Sequence, residues 1–174
     1  RINDGQTIKW LGAKVRRDVK IDSAAFVNLA NNKEFIKSLG LNASTLEGYL
    51  FSKTYKLYEN TSPEEALQLF YKGFTDFFVD SLKQRAKKIG FTVHQVLTLA
   101  SIIKGETNQA DEMPTISAVY HNRLRIGMSL QADPTIQYLL PGGWRRLTYA
   151  DLKIDSPYNT YKYAGLPPGP INNP

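Results

Sequence analysis

Two short signals constrain this chain more than anything else in it: Ser62-Pro63-Glu64-Glu65 and Thr92-Val93-His94-Gln95. In each, a hydroxyl residue is followed three positions later by Glu or Gln. The two side chains can then satisfy each other's orphan backbone N–H groups at the start of a helix. Pro63 adds a preset first turn. The first signal predicts a helix from Ser62 to about Lys88, stopped by Gly90, whose Phe70, Tyr71, Phe74, Phe77 and Phe78 read as core. The second predicts a helix that ends near Glu106.

Other segments fill in around these two. Apolar positions Ile8, Leu11, Gly12 and Val15 predict an amphipathic helix over Thr7 to Val19, following the turn Asp4-Gly5. Short helices are expected from Ser23 to Leu29 and from Asn32 to Leu39, the latter closed by Gly40. A further helix should begin at Met113-Pro114 and end by Gly127, and a short one should follow Thr148 with Asp151 as its box partner. Leu46 to Phe51 and Thr54 to Tyr58 alternate and are rich in aromatics, the pattern of extended segments. Gln131, Asp133 and Thr135 alternate with Leu130, Ala132 and Ile136, an extended stretch with one polar face, and Pro134 places it at an edge or in a loop. The expected fold is α+β: a helix-rich domain with short strands and an irregular Pro/Gly-rich C-terminal segment.

Charge and composition narrow the chemistry. Lys and Arg number 22 against 16 Asp and Glu, a net charge of +6 that suits polyanionic partners. The basic residues are scattered and form no recognition-helix or zinc-finger pattern, so nucleic acid is not the expected partner. There is no cysteine, which removes disulfide, thiolate and Cys-metal chemistry. His121 has one fellow histidine, His94, and neither stands in an acidic cluster with ligand spacing, so no metal or other cofactor is expected. Pro141-Gly142-Gly143 lacks the Lys-Ser/Thr of a phosphate loop. The chain starts at Arg1 and ends in an extended Pro-rich tail at Pro174, and reads as a piece of a longer protein.

One carboxylate stands out. Glu106 closes the apolar helical run Leu97 to Ile103, where apolar neighbours and the negative pole of a helix both disfavour ionisation. A carboxyl still protonated near neutral pH is what a general acid for glycosidic cleavage requires. The bland alternative is a solvated glutamate in a fraying last turn. Gly105, Thr107 and Asn108 beside it, and His121-Asn122-Arg123 on the next helix, are polar company that a carboxylate could use. Asp133 would be the second carboxylate of a two-acid hydrolase.

The ordered blocks Ala100-Ser101-Ile102-Ile103-x-x-Glu106-Thr107, Val119-x-x-Asn122-Arg123-Leu124-x-x-Gly127-Met128-x-Leu130-Gln131-x-Asp133-Pro134-Thr135, Ser156-Pro157-Tyr158-Asn159-Thr160-Tyr161 and Gly165-Leu166-Pro167-Pro168-Gly169-Pro170-Ile171, preceded by Leu46 to Phe51, resemble the YceG-like family of endolytic murein transglycosylases. The resemblance covers roughly residues 46–174, and more loosely the remainder from Arg1. It implies an extracytoplasmic enzyme that cuts peptidoglycan strands between MurNAc and GlcNAc and leaves 1,6-anhydro-MurNAc ends. It places Glu106 on the catalytic glutamate, with Asn122, Gln131, Asp133, Thr135, Asn159 and Tyr161 as substrate-binding candidates. It further implies a parent protein held in the cytoplasmic membrane by an N-terminal helix and carrying a LysM-like domain. On that reading residues 1–45 are a helical lead-in and 46–174 the catalytic domain, with glycan strands and penicillin-binding synthases as partners.

Two segments depart from the family pattern. Lys104 replaces an acid two residues before Glu106 and would lower the pKa of Glu106 if their heads met; Ser52-Lys53 replaces a Pro-Asp. A hydrolytic muramidase using Glu106 and Asp133, and a non-catalytic glycan-binding module, are the competing readings.

Overall fold

The computed structural model describes residues 1–141 and 145–174, so Gly142 and Gly143 of the Pro141-Gly142-Gly143 motif lie outside the described residues. The chain forms helices α1 (Ile8–Val19), α2 (Ser23–Ala30), α3 (Lys33–Ser38), α4 (Pro63–Phe77), α5 (Asp80–Lys88), α6 (Val93–Glu106), α7 (Met113–Arg125) and α8 (Asp133–Leu139), plus a 3-10 turn at Asp151–Lys153. Helix starts follow local chemistry. Thr7, Asp22, Asn32, Ser62 and Thr92 each accept a backbone N–H at an N-terminus, and both capping boxes close fully. The box of Thr148 and Asp151 also forms, with Thr148 N–H donating to Asp151 Oδ2 at 2.7 Å.

The α+β expectation is corrected: among the described residues there are no strands. Leu46 to Phe51 is a buried irregular connection. Its backbone bonds run singly to other segments, from Leu46 N to Ala30 O and from Phe51 N to Phe70 O, and no ladder forms. Leu46, Tyr49 and Leu50 are driven into the core by their apolar area. The expected single helix from Ser62 to Lys88 is two helices, broken at Phe78 (φ −84°, ψ 64°) and Val79. The break turns Phe78 into the core and leaves Val79 half exposed. The stretch around Asp133 is helical, with Pro134 in the first turn of α8 and Pro134, Thr135 and Ile136 all buried.

Two apolar cores meet along α6. The larger joins α1, α2 and α4 to Leu46, Tyr49 and Leu50, and takes Leu97 from α6. The smaller gathers Leu99 and Ile102 of α6, Tyr120 of α7, Leu130, Ala132 and Ile171. The Pro/Gly-rich tail is irregular as expected, yet buried: Ile171 N–H donates to Ser101 Oγ (3.0 Å) and Asn172 Nδ2 to the Ser101 carbonyl (2.9 Å). Gly5 N–H donates to Asn173 O, and Asn173 N–H to Gln6 O. The tail thus ties the start of the chain to the middle of α6.

Candidate active site

Glu106 occupies the last position of α6, exposed to solvent beyond the smaller core. Two helices converge on it. From α7, the Tyr120 hydroxyl donates to Glu106 Oε1 at 2.6 Å, its ring buried in the core. Arg123, one turn further along α7, donates to the Leu130 carbonyl and so ties α7 to the segment leading into α8. From α8 comes Asp133, whose Oδ1 accepts a hydrogen bond from the Tyr161 hydroxyl.

The electrostatics follow from this arrangement. The surrounding protein partly shields the Glu106 carboxyl from water and pushes its pKa above the ordinary glutamate value. The Tyr120 bond pulls the other way by favouring the ionised form, the negative Asp133 raises the pKa further, and Arg123 lowers it. The Tyr161 hydroxyl is pushed up to about 12 by burial and by its bond to Asp133, which keeps it a donor. Lys104 plays no part in this balance: its ammonium turns to Asp4 Oδ2 at 3.8 Å, across the start of the chain.

The remaining predicted residues divide sharply. Gln131 is exposed and held at φ +52°. Its N–H donates to the Thr160 carbonyl at 2.9 Å. Asn122 is exposed on α7. Thr135 and Asn159 are fully buried. Thr135 Oγ1 donates to the Ala132 carbonyl and lies 2.9 Å from Thr160 Oγ1, which in turn accepts the Ala132 N–H. Asn159 Nδ2 donates to the carbonyls of Leu152 and Ile154, and its Oδ1 accepts the N–H groups of Tyr161 and Lys162. These two shape the loop that presents Tyr161. They do not face the solvent beside Glu106. Among the described residues no three His, Asp or Glu side chains gather to hold a metal ion.

Tyr120 is the residue that sequence reasoning missed. A tyrosine on the apolar face of a helix must find a partner for its hydroxyl once buried, and that requirement was the available signal.

The profile of the YceG-like family matches residues 1–174, the whole chain. The chain belongs to the YceG-like family. It is 39% identical over 163 residues to an endolytic murein transglycosylase of Bacillus subtilis, covering 88% of this chain and 44% of that protein. It is 32% identical over 170 residues to an endolytic murein transglycosylase of Streptococcus pneumoniae, covering 89% of this chain and 30% of that protein. The chain thus spans less than half the length of these relatives. A YceG-like protein from Listeria monocytogenes, known from a crystal structure, superposes with a TM-score of 0.86 at 33% identity, over 99% of this chain and 62% of that one. The all-helical arrangement around Glu106 is therefore a YceG-like fold.

Proposed function

We propose that this YceG-like chain is the catalytic portion of an endolytic peptidoglycan lytic transglycosylase, with Glu106 as its single acid and base. The observation that carries the reading is the Glu106 carboxyl: its pKa is raised by desolvation, and it is held by a Tyr120 hydroxyl bond that strengthens once it ionises. In the first step the protonated carboxyl gives its proton to the glycosidic oxygen as the MurNAc C1–O bond breaks. In the second, the carboxylate takes the proton of the C6 hydroxyl while that oxygen bonds to C1. No water is consumed, and the product is a 1,6-anhydro ring. Tyr120 steadies the carboxylate between the two steps. Arg123 and Asp133 set the field around it, and Tyr161 holds Asp133. Exposed Asn122 and Gln131 are candidates for contacting the strand, while Thr135 and Asn159 act by positioning.

The murein transglycosylase relatives from Bacillus and Streptococcus support this reading, and with it peptidoglycan as the substrate and an extracytoplasmic site of action. A membrane-anchored parent and peptidoglycan synthases as partners belong to the same proposal. No helix among the described residues is long and apolar enough to cross a membrane.

The test is mass spectrometry of uncrosslinked glycan strands digested by the chain. Anhydro ends are expected, with Glu106→Gln inactive but still able to bind strands. Reducing ends that disappear in Asp133→Asn would replace this reading with a two-carboxylate hydrolase.

A further inference from the structure

The face of the molecule behind Gly105 holds two clefts that no step of the reaction uses. One, of about 610 Å³, is lined by Gly5, Gln6, Trp10, Gly105, Asn108 and Pro134 among others. The second, of about 580 Å³, continues past Lys9, Asn31 and Thr45 to Glu47. Thr7, Trp10, Gln137 and Tyr138 line both, so the two form one trough. The trough begins at Gly105 and Asn108, the residues flanking Glu106 and its neighbour Thr107, and at Pro134, next to Asp133.

Trp10 stands on the shared rim. The buried face of α1 is Ile8, Leu11, Gly12 and Val15, which leaves Trp10 and Lys14, one turn apart, on another face. The Lys14 ammonium lies 5.6 Å from the indole centroid, over the ring, and is itself held by Asp18 at 2.8 Å. Trp10 remains 45% exposed. A steadied, exposed indole beside amides (Gln6 and Asn108 in the first cleft, Asn31 in the second) is suited to a ligand that is flat and apolar on its faces and hydroxylated at its edges. Pyranose rings have that character.

We propose that this trough is a distal subsite for the glycan strand, in which a sugar ring stacks on Trp10 while the bond to be cut lies at Glu106. The proposal rests on the reading of Glu106 given above. It makes the enzyme sensitive to strand length. A long strand reaches Trp10, and the shortest cleavable fragment does not.

The test uses this chain with Trp144→Phe and Glu106→Gln, so that Trp10 is the remaining tryptophan and no cleavage occurs. Long uncrosslinked glycan strands should change its fluorescence, and the shortest fragment that the active chain still cleaves should not. In the active chain, Trp10→Ala should raise KM for long strands about fivefold to tenfold, the scale of one aromatic contact. The kcat and the kinetics on the shortest fragment should stay unchanged, and Trp10→Phe should restore part of the loss. Strands that bind by calorimetry while Trp10 stays silent would overturn the subsite and leave Glu106 untouched. A Trp10 response with no anhydro product would keep the subsite and remove the catalytic reading. No binding by any strand would overturn both.

Discussion

Pro134 lies directly against the bare α-carbon of Gly105, so close that a Cβ on Gly105 would sit 2.5 Å from Pro134 Cβ and 2.9 Å from its Cγ. This contact brings the end of α6 and the start of α8 together, and so sets the neighbours Glu106 and Asp133 on one ridge. The next element cannot give way easily, because Pro134, Thr135 and Ile136 are all buried. Gly105→Ala should therefore force the two helix ends apart. A loss of about 1–3 kcal/mol is expected from overpacking. Strand cleavage should fall even at a temperature where the variant is fully folded. Urea denaturation and a cleavage assay on the same preparation check both, and normal cleavage would show that the contact does not position Glu106.

Tyr120→Phe removes the hydroxyl that favours ionised Glu106. The groups left acting on the carboxyl are its desolvated surroundings and Asp133, which raise its pKa, and Arg123, which lowers it. The pKa of Glu106 should rise. The alkaline limb of kcat/KM, where the free enzyme loses its acid, should accordingly move to higher pH. The maximal rate should fall about tenfold to a hundredfold, the worth of a hydrogen bond to a charged group. A limb that stays in place or moves to lower pH would mean that another group is the acid.

How far the sequence could be read depended on the range of the interactions involved. Ser62 and Thr92 were legible as helix starts because a cap is satisfied within four residues, and both boxes close in the structure. Glu106 was legible as a helix-end carboxylate for the same reason. The stretch from Leu130 to Ile136 misled because its alternation has two explanations. Ala132 and Ile136 are one turn apart as well as an even number apart, and Pro134 suits a helix's first turn as well as a strand's edge. The break at Phe78 carries no Gly or Pro and follows from where Phe78 is buried, a tertiary fact. The strands expected at Leu46 to Phe51 fail because a strand needs a neighbour, and the segment is surrounded by helices and the tail. Tyr120 and Lys104 depend on distant partners, Glu106 and Asp4 respectively, beyond any local pattern.

Asn159→Ala should separate positioning from contact. The side chain makes four hydrogen bonds inside the loop between Leu152 and Lys162 and is wholly buried. Its loss leaves the Leu152 and Ile154 carbonyls and two N–H groups without their partner, at an expected cost of about 2–4 kcal/mol. Because this loop carries Tyr161, amide exchange should speed up around residues 152–162, and the Tyr161 bond to Asp133 should loosen. If stability and exchange are unchanged while strand affinity drops, Asn159 touches substrate and its burial in the free chain is misleading.

Glu47 predicts an unusual pH dependence of stability. Its carboxylate oxygens accept the Ile8 N–H at 3.0 and 3.1 Å, and burial pushes its pKa up to about 8 from an ordinary 4.5, against the lowering effect of that bond. The folded chain thus holds a proton that the unfolded chain releases between these values. The stability contributed by this group is complete below about pH 4.5. It is lost progressively as pH rises through about 8, on the order of a few kcal/mol. Glu47→Gln keeps an oxygen to accept from Ile8 but cannot ionise, so its stability should not decline over this window on account of position 47. The gap between variant and wild type should therefore widen in the variant's favour from about pH 5 to about pH 8. Urea titrations of both proteins across that range check the sign. Parallel curves would mean that Glu47 is ionised in the folded chain throughout, and that water or a cation reaches it where the structure shows only the Ile8 N–H.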